Sequence, residues 1–334
     1  MKVAAVIPHW NRADLLSTLL ESLSKQVYPF DEVIVVDNGS TDQSADVAQR
    51  FGARFIPLGQ NLGFARAVNR GVQEAFADWI AILNNDVTLD EWWLANLLDK
   101  ARAAQAKAEA GKVWFATGKI LSAANPSVID ATFDEISRAG CAWRCGAGKA
   151  DGPVWNEARS IRIAPMTAAI FRADLFREIG SLDEAFESYL EDVDFGLRCC
   201  LQGYEGLYVP EAVAHHRGSA TLGEWNSDTV RRIARNQVLL TAKHFRGQPR
   251  FPILAGQLLW GLLALRHGRA LSYVHGKLEG MRKARALFEK TGFEKTKKNE
   301  LQRILTQSEQ TILSLQQQTG FDSYWRAYFC LSRP

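Results

Sequence analysis

Short apolar runs alternate with stretches of helical spacing through the first hundred residues. Val3 to Ile7 is a continuous apolar run closed by Pro8, the pattern of a strand buried on both faces. Leu15, Leu16, Leu19, Leu20 and Leu23 then recur at helical spacing, so one face of a helix is apolar. Val33 to Val36 is a second buried run, ended by the turn chemistry of Asp37-Asn38-Gly39-Ser40. Ser40 or Thr41 is suited to cap a helix reaching about Arg50. Arg54 to Ile56 reads as a short strand, Phe64 to Phe76 as a helix and Trp79 to Leu83 as a third buried run. Asp90 is placed to cap an Ala-rich helix to about Ala110. Strands that alternate with helices predict right-handed crossovers and an α/β fold with a mostly parallel central sheet.

Between about 111 and 225 the elements shorten. Val113 to Thr117 and Ile161 to Phe171 look like strands, and Ala173 to Ile179 looks like a helix stopped by Gly180. Gly206 to Val209 reads as a strand ended by Pro210. From Trp225 the pattern is helical and turn signals are few. The sequence therefore predicts a domain over residues 1–225 and a helical region over 226–334.

Composition bounds the class. The chain has 334 residues, 47% of them hydrophobic and 23% charged, as in ordinary globular proteins. Its formal net charge of +3 does not indicate a nucleic-acid binder. The balance is uneven, however: Lys243 to Lys298 holds 13 Lys/Arg against 3 Glu. Inside that basic stretch lies the longest apolar run, Phe251 to Leu265, too short for the ~20 residues of a spanning helix. Apolar residues beside cations suit an anionic membrane surface. A helix pair packed on the first domain, or on a second subunit in a homo-oligomer, is the competing reading. The five cysteines form no CxxC pair, and no second ligand pair accompanies the Cys141–Cys145 spacing. No secretory leader pattern precedes Val3. The expectation is a cytoplasmic protein, peripheral on the inner face of the membrane if the basic segment docks there.

Candidate chemistry gathers just past the buried runs. In an open parallel sheet, ligands sit beyond the carboxyl ends of the strands. Those positions hold His9, Trp10 and Asn11; Asp37 and Asn38; and Asn84, Asn85 and Asp86. Asp86 offers a hard oxygen ligand of the kind Mg2+ or Mn2+ prefers. Trp10 offers a flat face for a base to stack on. Asn61 and Asn69, on either side of Gly63, could bind a donor or cap the next helix. The densest acidic cluster spans Asp183, Glu184, Glu187, Glu191, Asp192 and Asp194. Asp194 and Arg198 stand at i and i+4, where a structural ion pair forms.

The segments Val6-Ile7-Pro8-His9-Trp10-Asn11-Arg12, Val35 through Asp42, Asn61-Leu62-Gly63-Phe64-Ala65 and Leu83-Asn84-Asn85-Asp86 resemble family 2 glycosyltransferases in order and spacing. So does the stretch Gly180 through Asp194 and Arg198, ending in Pro210-Glu211-Ala212-Val213-Ala214-His215-His216. The resemblance covers residues 2 to 222 and is strongest to bacterial rhamnosyltransferase-type members. It implies the GT-A fold, a nucleotide-binding α/β sandwich. It also implies transfer of a sugar, with inversion, from a nucleotide donor to a glycan or lipid-linked acceptor. By resemblance, Asp86 and His216 are the metal ligands, with His215 as the competing register. Asp37 accepts from the base or ribose, and Pro8, Trp10, Asn61, Asn69 and Asn84 complete the donor site. Asp192 is the general base, and Glu191 binds the acceptor or holds the base in place. The family's acidic triplet reads Asn84-Asn85-Asp86 here, with one carboxylate instead of two or three. Two rivals remain at this point: a sugar nucleotidyltransferase, and an inactive nucleotide-sugar-binding module at a membrane surface. The first rival lacks its usual support, because His9-Trp10-Asn11-Arg12 contains no glycine for a phosphate loop.

Overall fold

The computed structural model describes residues 1–106, 113–218, 225–288 and 295–333. The chain divides into two compact units, Met1–Phe133 with Gly146–Gly218, and Asp134–Cys145 with Ser219–Pro334.

The first unit opens with β1 (Val3–His9), α1 (Ala13–Ser24), β2 (Glu32–Asp37), α2 (Ser44–Arg50), β3 (Arg54–Pro57), α3 (Phe64–Glu74) and β4 (Trp79–Leu83). β5 (Val87–Leu89), α4 (Trp93–Ala106), β6 (Val113–Ser122) and β7 (Ile129–Ala131) follow. The predicted continuation of α4 to Ala110 lies outside the described residues. The strands of this unit form one sheet with the path β3-β2-β1-β4-β11-β6-β12-β10, where β10 is Arg159–Ile161, β11 is Ala168–Arg172 and β12 is Glu205–His216. Pairings among these strands run β1, β2, β3, β4, β6 and β12 in one direction. β5, β7, β10 and β11 run against them. Every residue of β1 and β4 is buried, as their unbroken apolar runs require. Leu16, Leu19, Leu20 and Leu23 of α1 pack on this sheet with Val3, Ala5, Ile7 and Trp79.

Two helices of this unit, α5 (Ala173–Ile179) and α6 (Glu191–Cys200), follow the antiparallel strand β11. Gly180 ends α5 at φ 84°, as its stop signal predicts. The expected strand end at Pro210 is not observed: β12 continues to His216. Its register against β6 jumps from Val209 to Val213, and this bulge houses the proline without demanding an N–H of it. The extended pattern from Ile161 to Phe171 is likewise split between β10 and β11. Neither Ser40 nor Thr41 caps α2, which starts at Ser44 after Gln43. Ser40 turns back on Asp37 instead.

The second unit joins a hairpin, β8 (Asp134–Ile136) and β9 (Ala142–Arg144), to five helices. These are α7 (Ser227–His244), α8 (Arg250–Arg266), α9 (Ala270–Phe288), α10 (Lys295–Thr319) and α11 (Ser323–Leu331). The hairpin docks on α10, where Ile136 N donates to Ser308 Oγ and Arg138 pairs with the fully buried Glu309. Tyr328 of α11 donates to the same carboxylate at 2.6 Å. Trp143 and Trp325 meet edge to face. Cys141 and Cys145 are buried and not in disulfides, and among the described residues no cluster of three or more candidate ligands is poised for a metal. No helix among them is long and apolar enough to cross a membrane.

Candidate active site

The parallel strands deliver His9, Asp37, the Asn84-Asn85-Asp86 turn and His216 to one edge of the sheet, because each lies at or just past a carboxyl end. Local hydrogen bonds stitch these ends together. Asn38 N donates to the His9 carbonyl at 2.7 Å, and Asn11 exchanges bonds with Ser40 and Thr41. Buried His9 accepts from Asn85 Nδ2 through Nδ1 at 2.9 Å, which assigns the ring proton to Nε2, 2.7 Å from Ser44 Oγ. Burial lowers its pKa against the opposing pull of Asp37 and Asp42, so the ring is neutral and rigidly held.

Asp86 ends the turn that leads into β5, and His216 on β12 pairs with the next residue, Val87, so the two side chains meet. His216 Nε2 lies 3.1 Å from Asp86 Oδ1, and both side chains are largely buried. The other ring nitrogen, Nδ1, lies 2.9 Å from Asp130 Oδ2 on β7. Burial pushes the His216 pKa down, but the hydrogen bonds and charges of Asp130 and Asp86 outweigh it and raise it to about 9. His215 points the other way, as strand alternation requires, and meets Asp90 at 3.1 Å. Asp130 has no counterpart in the sequence reading. It lies in the three-residue strand β7, and nothing in Val128-Ile129-Asp130-Ala131 announces a carboxylate facing a histidine 86 positions away.

These residues form a donor set suited to a hard dication. One carboxylate and one imidazole converge, and a second carboxylate orients the imidazole from behind. Mg2+ and Mn2+ commonly take one or two protein ligands and complete their shell with water and substrate phosphate. A single acid in the Asn84-Asn85-Asp86 turn is therefore sufficient once His216 joins it.

Asp37 is buried at the end of β2, its carboxylate accepting from Gly39 N, Ser40 N and Ser40 Oγ. The turn thus fixes the carboxylate at the site edge. Trp10 stands 40% exposed one residue past β1, with its ring available to a ligand. Pro8 is buried inside β1, beyond Val6, where pairing with β4 stops.

The acidic segment docks onto the amino end of α3. Ala65 N donates to the Glu187 carbonyl at 2.9 Å, and Phe64 N to Ser188 Oγ at 3.2 Å. Gly63 permits this approach: its φ is 89°, and a Cβ there would stand 2.9 Å from the Glu187 carbonyl oxygen. Asn61 makes a local turn by accepting from Gly63 N. Backbone strain collects in the same place. Among the described residues, the non-glycine residues with positive φ are Asn11 and Arg12, just past β1, and Glu187, Tyr189 and Leu190, in the acidic segment. α6 then begins at Glu191, and Asp192 accepts from Val193 N at 2.8 Å, so its carboxylate sits at the positive end of the helix dipole. Asp194 is fully buried and forms the expected ion pair with Arg198, which also donates to the carbonyls of Ile179 and Ser181.

Asn69, expected at the donor site, lies buried on α3. Its amide is buried and spent on Leu182, accepting from the N–H and donating to the carbonyl at 2.9 Å each. It is a tie between α3 and the acidic segment. Asn69→Ala is expected to cost about 2 kcal/mol of stability, by leaving buried backbone groups unpaired, and to leave donor affinity unchanged. Denaturant melts and donor titrations on one variant decide: an unchanged melt with weaker donor binding restores the donor role. Gly63→Ala is expected to cost about 1–3 kcal/mol, because strained backbone and the Glu187 carbonyl both oppose the methyl group. A melt within error of the parent chain would contradict that packing.

Residues 4–180 match the sequence profile of glycosyl transferase family 2, and residues 163–275 that of glycosyl transferase family group 2. The chain belongs to glycosyl transferase family 2 and is a glycosyltransferase with the GT-A fold. It is 30% identical over 238 residues to the N-acetylglucosaminyl-diphospho-decaprenol L-rhamnosyltransferase of Mycobacterium tuberculosis, covering 62% of this chain and 73% of the relative. GalNAc-T7, solved with UDP, GalNAc and Mn2+, superposes with a TM-score of 0.60 at 13% identity, covering 86% of this chain and 54% of that one. The mannosyltransferase PcManGT of Pyrobaculum calidifontis, solved with GDP-Man and Mn2+, superposes with a TM-score of 0.52 at 17% identity, covering 98% and 86%. Family membership sets aside the sugar nucleotidyltransferase reading.

Proposed function

We propose that this glycosyltransferase moves a sugar, with inversion, from a nucleoside diphosphate donor to a glycan or lipid-linked acceptor of the cell envelope. The observation that carries it is the meeting of Asp86, in the turn after β4, and His216, at the end of β12, at 3.1 Å, at the sheet edge that also holds Asp37 and Trp10. Asp86 and His216 would hold Mg2+ or Mn2+, with Asp130 orienting His216. Held by these residues, the ion would supply positive charge to the leaving diphosphate. Asp37 accepts from the base or ribose, Trp10 stacks on the base, and Asn84 borders the diphosphate. Asp192 takes the proton of the acceptor hydroxyl as it attacks the anomeric carbon. One carboxylate suffices for this step, because inversion uses no enzyme nucleophile. Glu191, buried beside it at the start of α6, keeps the base in place.

The named rhamnosyltransferase relative makes dTDP-rhamnose the first donor to test and a polyprenyl diphosphate sugar the first acceptor. A thermal-shift panel of nucleoside diphosphates and sugar nucleotides, with and without Mn2+, tests the reading. A bound donor raises the melting midpoint by mass action, and the account expects that rise to need Mn2+. A panel with no shift under any condition would refute the donor site.

A further inference from the structure

The apolar run of α8 buries only part of its circumference. Phe251, Leu254, Leu258, Leu262 and Leu265 are 53–68% exposed, at spacings of three and four residues that place them on one stripe. α9 carries a second stripe, with Leu271, Val274, Leu278 and Met281 also exposed at helical spacing. The two helices run antiparallel: Gly261 meets Tyr273, whose hydroxyl donates to the Gln257 carbonyl, and Lys277 reaches the Gln257 side chain. Each stripe lies roughly a quarter turn from that contact line, in the sense that turns both to the same side. Nine large apolar side chains therefore form one outward face, which soluble surfaces rarely leave bare.

The charges around this face have one sign. From Arg250 to Arg285 there are seven Lys/Arg and a single acid, Glu279. That acid is turned inward to Arg231 and Arg235. Arg250 and Arg266 bound the α8 stripe, and Arg282 and Arg285 continue the α9 stripe. All four are exposed and have no ion-pair partner among the described residues. A second copy packed on this face would bring arginines to arginines with no acid to meet them. A bilayer rich in anionic lipid offers hydrocarbon to the leucines and phosphate to the guanidinium groups at once. Because neither helix can span, the pair would lie in the plane of the interface.

We propose that the outward face of α8 and α9 is a membrane-docking surface for anionic lipid headgroups. The test is sedimentation of the full chain with vesicles of phosphatidylcholine alone, or of equal parts phosphatidylcholine and phosphatidylglycerol. Partitioning is expected on the anionic vesicles, and it should weaken as salt is raised. Arg282→Gln with Arg285→Gln is expected to weaken it about thirtyfold. Leu254→Ser with Leu258→Ser should weaken it while leaving the melting curve in place, since both positions are exposed. No partitioning onto anionic vesicles would overturn the proposal. So would a dimer in solution that Leu258→Ser splits, which would make the occupant a second copy. These readouts involve no donor, so they stand or fall apart from the catalytic reading.

Discussion

Asp192→Asn is expected to lower kcat for sugar transfer by about 10²- to 10⁴-fold, the range a general base contributes, while donor affinity changes little. The substitution is conservative for the fold. Asp192 accepts from Val193 N through one oxygen, and an asparagine keeps that acceptor. The ability to take a proton is lost together with the negative charge. Its place at the first turn of α6 stabilises the ionised carboxylate, and the strained Glu187–Leu190 backbone holds that turn against α3. Single-turnover transfer and donor titration on the same variant separate the outcomes. Weaker donor binding at unchanged kcat would make Asp192 a binding group, and unchanged transfer would move the base elsewhere, with Glu191 the first candidate.

Asp86→Ala is expected to remove the dependence of donor affinity on metal and to cost transfer several kcal/mol, on the order of 10³-fold. The site keeps His216 held by Asp130, so the loss reports the missing ligand and not a collapsed strand. Asp130→Asn provides the graded partner. It leaves both ligands in place and relaxes the orientation of the imidazole, and apparent metal affinity should fall about 10- to 100-fold. Donor titrations across a Mn2+ series give both numbers. An Asp86→Ala variant whose donor affinity still climbs with Mn2+ would place the ion elsewhere.

The sheet was legible because its strands are buried on both faces. Val3–Ile7, Val33–Val36 and Trp79–Leu83 carry unbroken apolar runs that no surface element would need. The strand-end residues followed from topology, since a parallel sheet sends all carboxyl ends to one edge. Tertiary context hid the rest. Pro210 looks like a strand end until the bulge against β6 is known. The hairpin Asp134–Cys145 reads as part of the first 225 residues, yet it packs on α10 through Ser308 and Glu309, contacts more than 160 residues distant in sequence. Asn69 carries the residue type of a ligand-binding group, and only the neighbouring Leu182 backbone shows that its amide is spent. Asp130 was invisible for the same reason: a single carboxylate in a short strand acquires meaning from the histidine it faces. In the second unit the basic stretch was plain in the sequence, whereas the outward turn of the leucines on α8 required the packing of Gly256 against Ala139 and Tyr324 on its other side.

The claim on which the catalytic reading rests is that one dication is held between Asp86 and His216 at the edge of the sheet. Anomalous diffraction at the manganese edge, from crystals soaked with Mn2+ and a nucleoside diphosphate, measures this directly. The account predicts a single strong peak within coordination distance of the Asp86 carboxylate and His216 Nε2, contiguous with diphosphate density. A diphosphate bound without such a peak, with the Asp86–His216 pair still closed, would contradict it.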